Sequence, residues 1–195
     1  RLWGNLMNRT KRKIFETSMD LFAKKGYDAT SIEEITSVVG IAKGTLYYHF
    51  SSKGEILDFL IVEGLKLLEH SIEIKARKAD NIKEKIEAII LVELKVVDKY
   101  ENLINLIIKE ICGNEERNKK CRESVYSCVD VIEKIIVDSV EKGEIANCDT
   151  RAIAFEIFGI ICSGILLRYE NNGNIDINKM ALQYSRAIYK IIEKN

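Results

Sequence analysis

The sequence predicts an all-α protein of about nine helices. Three observations predict it. None of the 195 residues is proline, so nothing in the covalent chain forbids long uninterrupted helices. Helix formers dominate, and apolar residues recur at spacings of three and four, the period of one face of a helix. No stretch alternates apolar and polar side chains up to a hairpin turn, the mark of paired strands. Breaks between helices fall near 26–30, 40–41, 51–52, 79–80, 113–114, 143–149 and 171–176.

The elements follow in order. A first amphipathic helix covers 9–25 and carries Phe22 on its apolar side. Met7, just ahead of it, is a candidate natural start, which would leave 1–6 as an added segment. Ser31 followed by Glu34 fits the capping box that opens a helix. That helix is short, 32–39, with Ile35, Val38 and Val39 as its apolar contacts. Gly40 ends it, where a left-handed residue is wanted. After one apolar residue, Ile41, a second short helix covers 42–49. Two short helices across a tight glycine turn form a helix-turn-helix. A long helix over 52–78 follows. The next carries a stripe of Ile82, Ile86, Ile89, Val96 and Tyr100. The segment 150–169 is apolar nearly all round and needs burial on most of its sides. A last amphipathic helix covers 177–192. The chain divides into 1–53 and 54–195.

The second helix of the motif suits DNA. Leu46 pins it to the core, and its other face carries Lys43, Gly44, Thr45 and Tyr48. A recognition helix sets its N-terminal residues against base edges. Lys43 donates to guanine or phosphate, Gly44 lets backbone and groove approach, and Thr45 offers a hydroxyl and a methyl. Tyr47, Tyr48 and His49 are placed to donate to phosphate oxygens, which orient a helix without reading sequence. Tyr47 equally suits packing, and His49 suits a bridging or packing role better than base reading. Lys53 adds a phosphate contact near the start of the next helix. Thr30 and Ser31 stand at a helix N-terminus, a natural anion site.

Charge agrees by position, not in total. Thirty basic side chains balance thirty acidic ones. Residues 1–53 hold nine basic and five acidic side chains, a balance of +4, and the rest carries −4. Such asymmetry marks a nucleic-acid-binding end.

The run GYDATSIEEI, then VGIAKGTLYYHFSSKGEIL, resembles the DNA-binding domain of the TetR/AcrR family of bacterial transcription regulators. The resemblance covers about 10–60, and its most specific part is G-T-L-Y-Y-H-F followed three residues later by Lys53. Two positions depart from the pattern. Ala42 stands where a serine-like cap is usual, and Thr36 where a small alanine is usual. Ala42 weakens the cap of the recognition helix and removes one phosphate contact. The resemblance implies a three-helix DNA-binding domain followed by a larger helical domain that binds an effector and dimerises. It implies a cytoplasmic homodimer, repressing more commonly than activating, on a palindromic double-stranded operator, released by a small-molecule ligand. The helices around 150–169 and 177–192 are the candidate four-helix dimer interface. Ala154, Gly159, Ser163 and Gly164 there allow close helix approach.

For the ligand, the candidates are Glu93, Tyr100, Tyr126, Phe158 and Arg168. Glu93 interrupts an apolar stripe, and a carboxylate there is costly unless paired. It would meet a cationic ligand group or Arg168; the favoured alternative is a small rotation that leaves it at the solvent edge. Arg168 better suits capping or snorkelling, and the aromatic residues equally suit core.

Other classes fit poorly. There is no Gly-rich phosphate loop, nucleophile elbow or metal-ligand spacing, so no enzyme, cofactor or metal is expected. The five cysteines are odd in number, and Cys121 and Cys128 lie ~10 Å apart along a helix axis, which predicts free thiols. The longest uncharged apolar run, 157–167, is short of the ~20 residues of a membrane span. No basic-then-apolar leader opens the chain. A ligand-responsive activator, or a helical interaction module that does not bind DNA, are the alternatives.

Overall fold

The computed structural model describes residues 8–113 and 116–193; Met7 lies outside them. Among the described residues there are eight helices and no strand: α1 (Arg9–Lys25), α2 (Ile32–Val39), α3 (Lys43–His49), α4 (Lys53–Ala76), α5 (Ile82–Ile111), α6 (Glu116–Glu141), α7 (Thr150–Glu170) and α8 (Ile177–Ile192). The all-α reading stands. The seven expected breaks delimit eight segments, the number observed and one fewer than the stated nine; within α5 there is a kink, where Tyr100 adopts φ −129° and ψ 34°. Lack of proline therefore did not ensure a straight helix.

The kink coincides with a division of the chain. One compact unit holds the described residues up to Leu67 together with Tyr100–Arg122. The other holds Leu68–Lys99 and the described residues from Glu123 onward. The first unit thus extends past residue 53 and takes in the start of α4, the end of α5 and the start of α6.

In the first unit, caps define the short helices. Asn8 Oδ1 accepts from Lys11 N–H at the start of α1, and Ser31 Oγ from Glu34 N–H at the start of α2. Gly40 ends α2 at φ 75°, ψ 41°, the left-handed conformation that glycine adopts without steric cost. Ala42 leads α3 with no side-chain cap. A helix of seven residues is not stable alone. Burial of Leu46 holds α3 in place, and the fully buried Ile14, Phe15, Phe22, Ile35, Ile56 and Leu60 complete the core. Phe15 and Phe50 both meet Phe59 of α4, with ring centroids 5.8 and 5.1 Å away. Val38, expected inside, is 62% exposed. So short a helix buries one stripe, Ile35, Thr36 and Val39, and Val38 falls outside it. Thr36 meets burial by donating its hydroxyl to Glu33 O at 3.0 Å. At the far end of α5, Arg122 donates to the carbonyls of Ile111 and Gly113, satisfying a helix C-terminus. A Cβ on Gly113 would lie 2.4 Å from Asn118 Oδ1, so a larger residue there would displace the Asn118 side chain.

In the second unit, α5 buries Ile82, Ile86, Ile89, Ile90, Leu94 and Val97. The stripe drifts to Leu94 and Val97 instead of Val96 and Tyr100, which are half-buried. Glu93 lies at its centre and has no exposure at all. The expected rotation to the solvent edge does not occur, because the residues three and four away on both sides, Ile89, Ile90 and Val97, face inward.

α7 also corrects an expectation. Counted as a whole helix of 21 residues, it is long and apolar enough to cross a membrane by length and composition. Its stripe Ile153, Ala154, Ile157, Ile160, Ile161, Gly164 and Ile165 is buried within the unit, which accounts for the apolar composition of a core helix. Gly164 sits so close to α5 that a Cβ would lie 2.9 Å from Leu94 Cδ2. Arg168 pairs with Asp98 on α5, and Arg151 with Asp130 and Glu133 on α6. The five cysteines are free thiols.

Candidate nucleic-acid interface

Lys43, Gly44, Thr45, Tyr47 and Tyr48 are all exposed on α3, opposite the buried Leu46. Tyr48 is 84% exposed and its ring meets only the edge of His49, at 5.1 Å. Tyr47 is half exposed, and His49 is partly covered. A Cβ built on Gly44 meets nothing within 4 Å. That glycine is therefore not required by the packing of the unit. Lys43 forms an ion pair with Glu33 of α2, which draws the Lys43 ammonium pKa up and the Glu33 carboxyl pKa down. Both groups are exposed, so the pair is easily exchanged for another anion.

The flanking residues are placed differently. Thr30 is buried and donates its hydroxyl to Gly26 O at 2.8 Å. Ser31 is exposed but uses its oxygen as the cap of α2. The first turn of α2 holds Glu33 and Glu34, and Glu34 is paired with Lys25 of α1 instead of closing the capping box. Two carboxylates already answer the positive end of that helix dipole. Lys53 turns inward. Its ammonium donates to the carbonyls of Tyr27 at 2.9 Å and Thr30 at 3.0 Å, and sits 4.3 Å from the centre of the Tyr27 ring. The first residue of α4 thereby ties down the turn between α1 and α2. Sequence spacing could not show this, because the carbonyls belong to residues 23 and 26 positions away.

A helix-turn-helix with one buried anchor and a polar, glycine-bearing outer face is the geometry of a major-groove reader. The model of the family described as "Bacterial regulatory proteins, tetR family" matches residues 14–59. A second model, "Tetracyclin repressor-like, C-terminal domain", matches residues 79–192, more than half of the chain. The chain belongs to the TetR family of bacterial regulatory proteins. YerO of Bacillus subtilis, an uncharacterized HTH-type transcriptional regulator, is 45% identical over 78 residues. That match covers 40% of this chain and 25% of YerO, so the chain spans a quarter of that relative's length. The fatty acid metabolism regulator protein of B. subtilis is 24% identical over 167 residues, 85% of this chain and 86% of that protein. Among solved structures, the fatty acid degradation regulator FadR of Bacillus halodurans superposes with a TM-score of 0.82 at 19% identity, covering 94% of this chain and 96% of that one. FadR of B. subtilis in complex with stearoyl-CoA gives 0.79 at 22%, covering 91% and 96%. At these identities the structural likeness shows the fold.

The regulator's second unit does not gather the five ligand candidates. Tyr100 belongs to the first unit. Tyr126 is 44% exposed and meets the edge of Phe155, Phe158 is half-buried, and Arg168 is engaged by Asp98. Two clefts of this unit are lined by none of the five. One, of about 400 Å³, lies among Glu73, Arg77, Lys85, Lys134 and Asp138. The other, of about 280 Å³, lies among Leu167, Asn174, Lys179 and Met180. The sequence reading named Gly159 for close helix approach on α7 but not the other residues of its outward face. Phe155, Gly159, Cys162, Leu166 and Tyr169 are all exposed. Their spacing alternates between four and three, so they form one outward apolar stripe.

Proposed function

We propose that the chain is a cytoplasmic homodimeric repressor that leaves a palindromic operator when a small molecule binds its second domain. The observation that carries the DNA half is the outer face of α3. Lys43, Gly44 and Thr45 read base edges there, while Tyr47, Tyr48 and His49 hold phosphates. Thr30 and Ser31 shape the turn that presents α2 to the backbone, and Lys53 acts by positioning that turn. The domains divide near residue 53, with effector binding and dimerisation after it.

Dimerisation is supported by the outward stripe of α7, continued on α8 by Ala187 and by Ile191, which is 65% exposed. A helix apolar on two opposite faces has one for its own core and one for a partner. Gly159 on this stripe meets nothing within 4 Å and leaves room for a close-approaching helix. Two recognition helices then fall on successive major grooves of a palindrome.

The test is a gel shift with the palindrome upstream of the gene, at fixed salt, comparing wild type with Tyr48→Ala. The variant should keep its melting temperature and lose about tenfold in affinity, the value of one or two phosphate contacts. Equal affinity would remove Tyr48 from the interface. No salt-dependent shift at all would favour the interaction-module alternative. A rise in transcription on operator binding would make the protein an activator.

A further inference from the structure

Among the described residues, three buried side-chain oxygens lack a hydrogen-bond partner: Ser18 Oγ and both oxygens of Glu93. A neutral hydroxyl is a modest cost, but an enclosed carboxyl with nothing to bond is a large one. Its surroundings deepen the cost. On α5 it lies among the fully buried Ile89, Ile90, Leu94 and Val97. Its raised pKa has burial as its cause, with no cation acting on it. Cys128 of α6 is buried, and its thiol pKa is pushed up to about 12, first by burial. Glu69 of α4 accepts from Ser127 of α6 at 3.0 Å. The two arginines of α7 pair with Asp98, Asp130 and Glu133.

One carboxyl thus stands in an apolar interior with neither a hydrogen-bond partner nor a cation. The geometry points to Glu93 as the anchor for an ammonium group on an apolar effector, a primary alkylamine in its simplest form. This rests on the ligand-responsive reading above and names its ligand class. An ammonium brings three donors and a positive charge to the two free oxygens, which is the strong form of hydrogen bond. A carboxylate or phosphate ligand would bring like charge to the same place. Burial holds the Glu93 pKa well above the usual carboxylate range, which favours the protonated form in the empty protein. When the ammonium enters, that proton passes to solvent and a carboxylate–ammonium pair remains. Because Glu93 is fully enclosed, the helices packed against this part of α5 must separate for entry. Such a displacement is what an inducer has to deliver.

The experiment uses the full chain with three probes of one tail length: octylammonium, octanol and octanoate, with stearoyl-CoA as a fourth. Calorimetry in two buffers of different ionisation enthalpy should show octylammonium binding with release of a proton. Its affinity should rise about tenfold per pH unit in the range where Glu93 is protonated. Glu93→Gln should lose that pH dependence and at least about tenfold in affinity. Without any probe, Glu93→Leu should melt higher than wild type, because an unmet buried carboxyl is replaced by a fitting apolar group. The inference is overturned if octanol or octanoate binds as well as the amine, if stearoyl-CoA alone binds, if no proton is released, if octylammonium does not bind, or if Glu93→Leu melts lower. A wild-type protein that binds octylammonium but shifts no operator breaks the DNA reading and leaves this site standing. One that shifts the operator and ignores octylammonium breaks this inference alone.

Discussion

Helices α3 and α7 both present a surface outward, and they are built on opposite terms. α3 has seven residues and one buried anchor, Leu46. α7 has 21 residues, seven of them buried, and an apolar stripe on its other side as well. The first is polar on its outer face and depends on its neighbours to exist. The second is a core element with apolar area to spare. A surface for nucleic acid needs donors, one glycine and little else of its own. A surface for another copy of the chain needs shape and apolar area on a rigid support.

That contrast is breakable, beginning with the largest effect. Leu46→Ala should cost about 2–5 kcal/mol in urea denaturation and abolish operator binding, since α3 has no second anchor. If α3 stays docked, the single-anchor account fails. Leu166, 69% exposed, should behave in the opposite way. Leu166→Lys should leave helicity and melting of the subunit intact, halve the mass seen in sedimentation, and lower operator affinity about a hundredfold through lost bivalency. A dimer that persists would move the interface elsewhere.

Lys53→Ala should cost about 1–3 kcal/mol, because it leaves the carbonyls of Tyr27 and Thr30 without their charged donor. Its loss of affinity should track its loss of stability. A variant of full stability and weak binding would return Lys53 to direct phosphate contact.

Glu93 predicts a pH dependence of known sign. Its pKa in the folded chain is raised by burial, so its contribution to stability is complete below the unfolded pKa of about 4.3. That contribution is lost as pH rises through the folded value, by about 1.4 kcal/mol per pH unit. Glu33 and Glu55 have lowered pKa values and act in the reverse sense, so the clean measure is wild type against Glu93→Gln. The variant should lack the falling limb, and parallel curves would show that Glu93 does not hold a proton. The smallest effect is Gly44→Ala. It should stabilise α3 by up to about 1 kcal/mol, while the added methyl reduces operator affinity. Unchanged affinity would mean that the groove stays clear of Gly44.

The DNA-binding end was read from sequence nearly to the residue. The expected helices 9–25 and 32–39 are α1 and α2 as observed, and the third differs by Ala42 alone. Local rules decide those boundaries: a capping serine, a left-handed glycine, a single apolar anchor. Residues 1–53 also carried the charge balance of +4 that pointed to this end. The fate of Lys53 was not legible, because its partners are carbonyls brought near by tertiary folding.

In the second domain the same rules reached less far. The helices expected at 150–169 and 177–192 match α7 and α8 to within one residue, but the rotation of α5 did not follow from apolar patterning. A shift of one position along a helix moves a side chain by 100°, enough to carry Glu93 from the edge to the interior. Periodicity bounds a helical face only to about that precision. Composition and spacing by themselves determined the all-α class, the motif and the exposed face of α3. Only the tertiary structure decided that Lys53 looks inward, that α7 has an outward apolar stripe, and that Glu93 is sealed without a partner. Those three depend on which distant atoms come within hydrogen-bonding or packing range, and no local spacing in the chain encodes that.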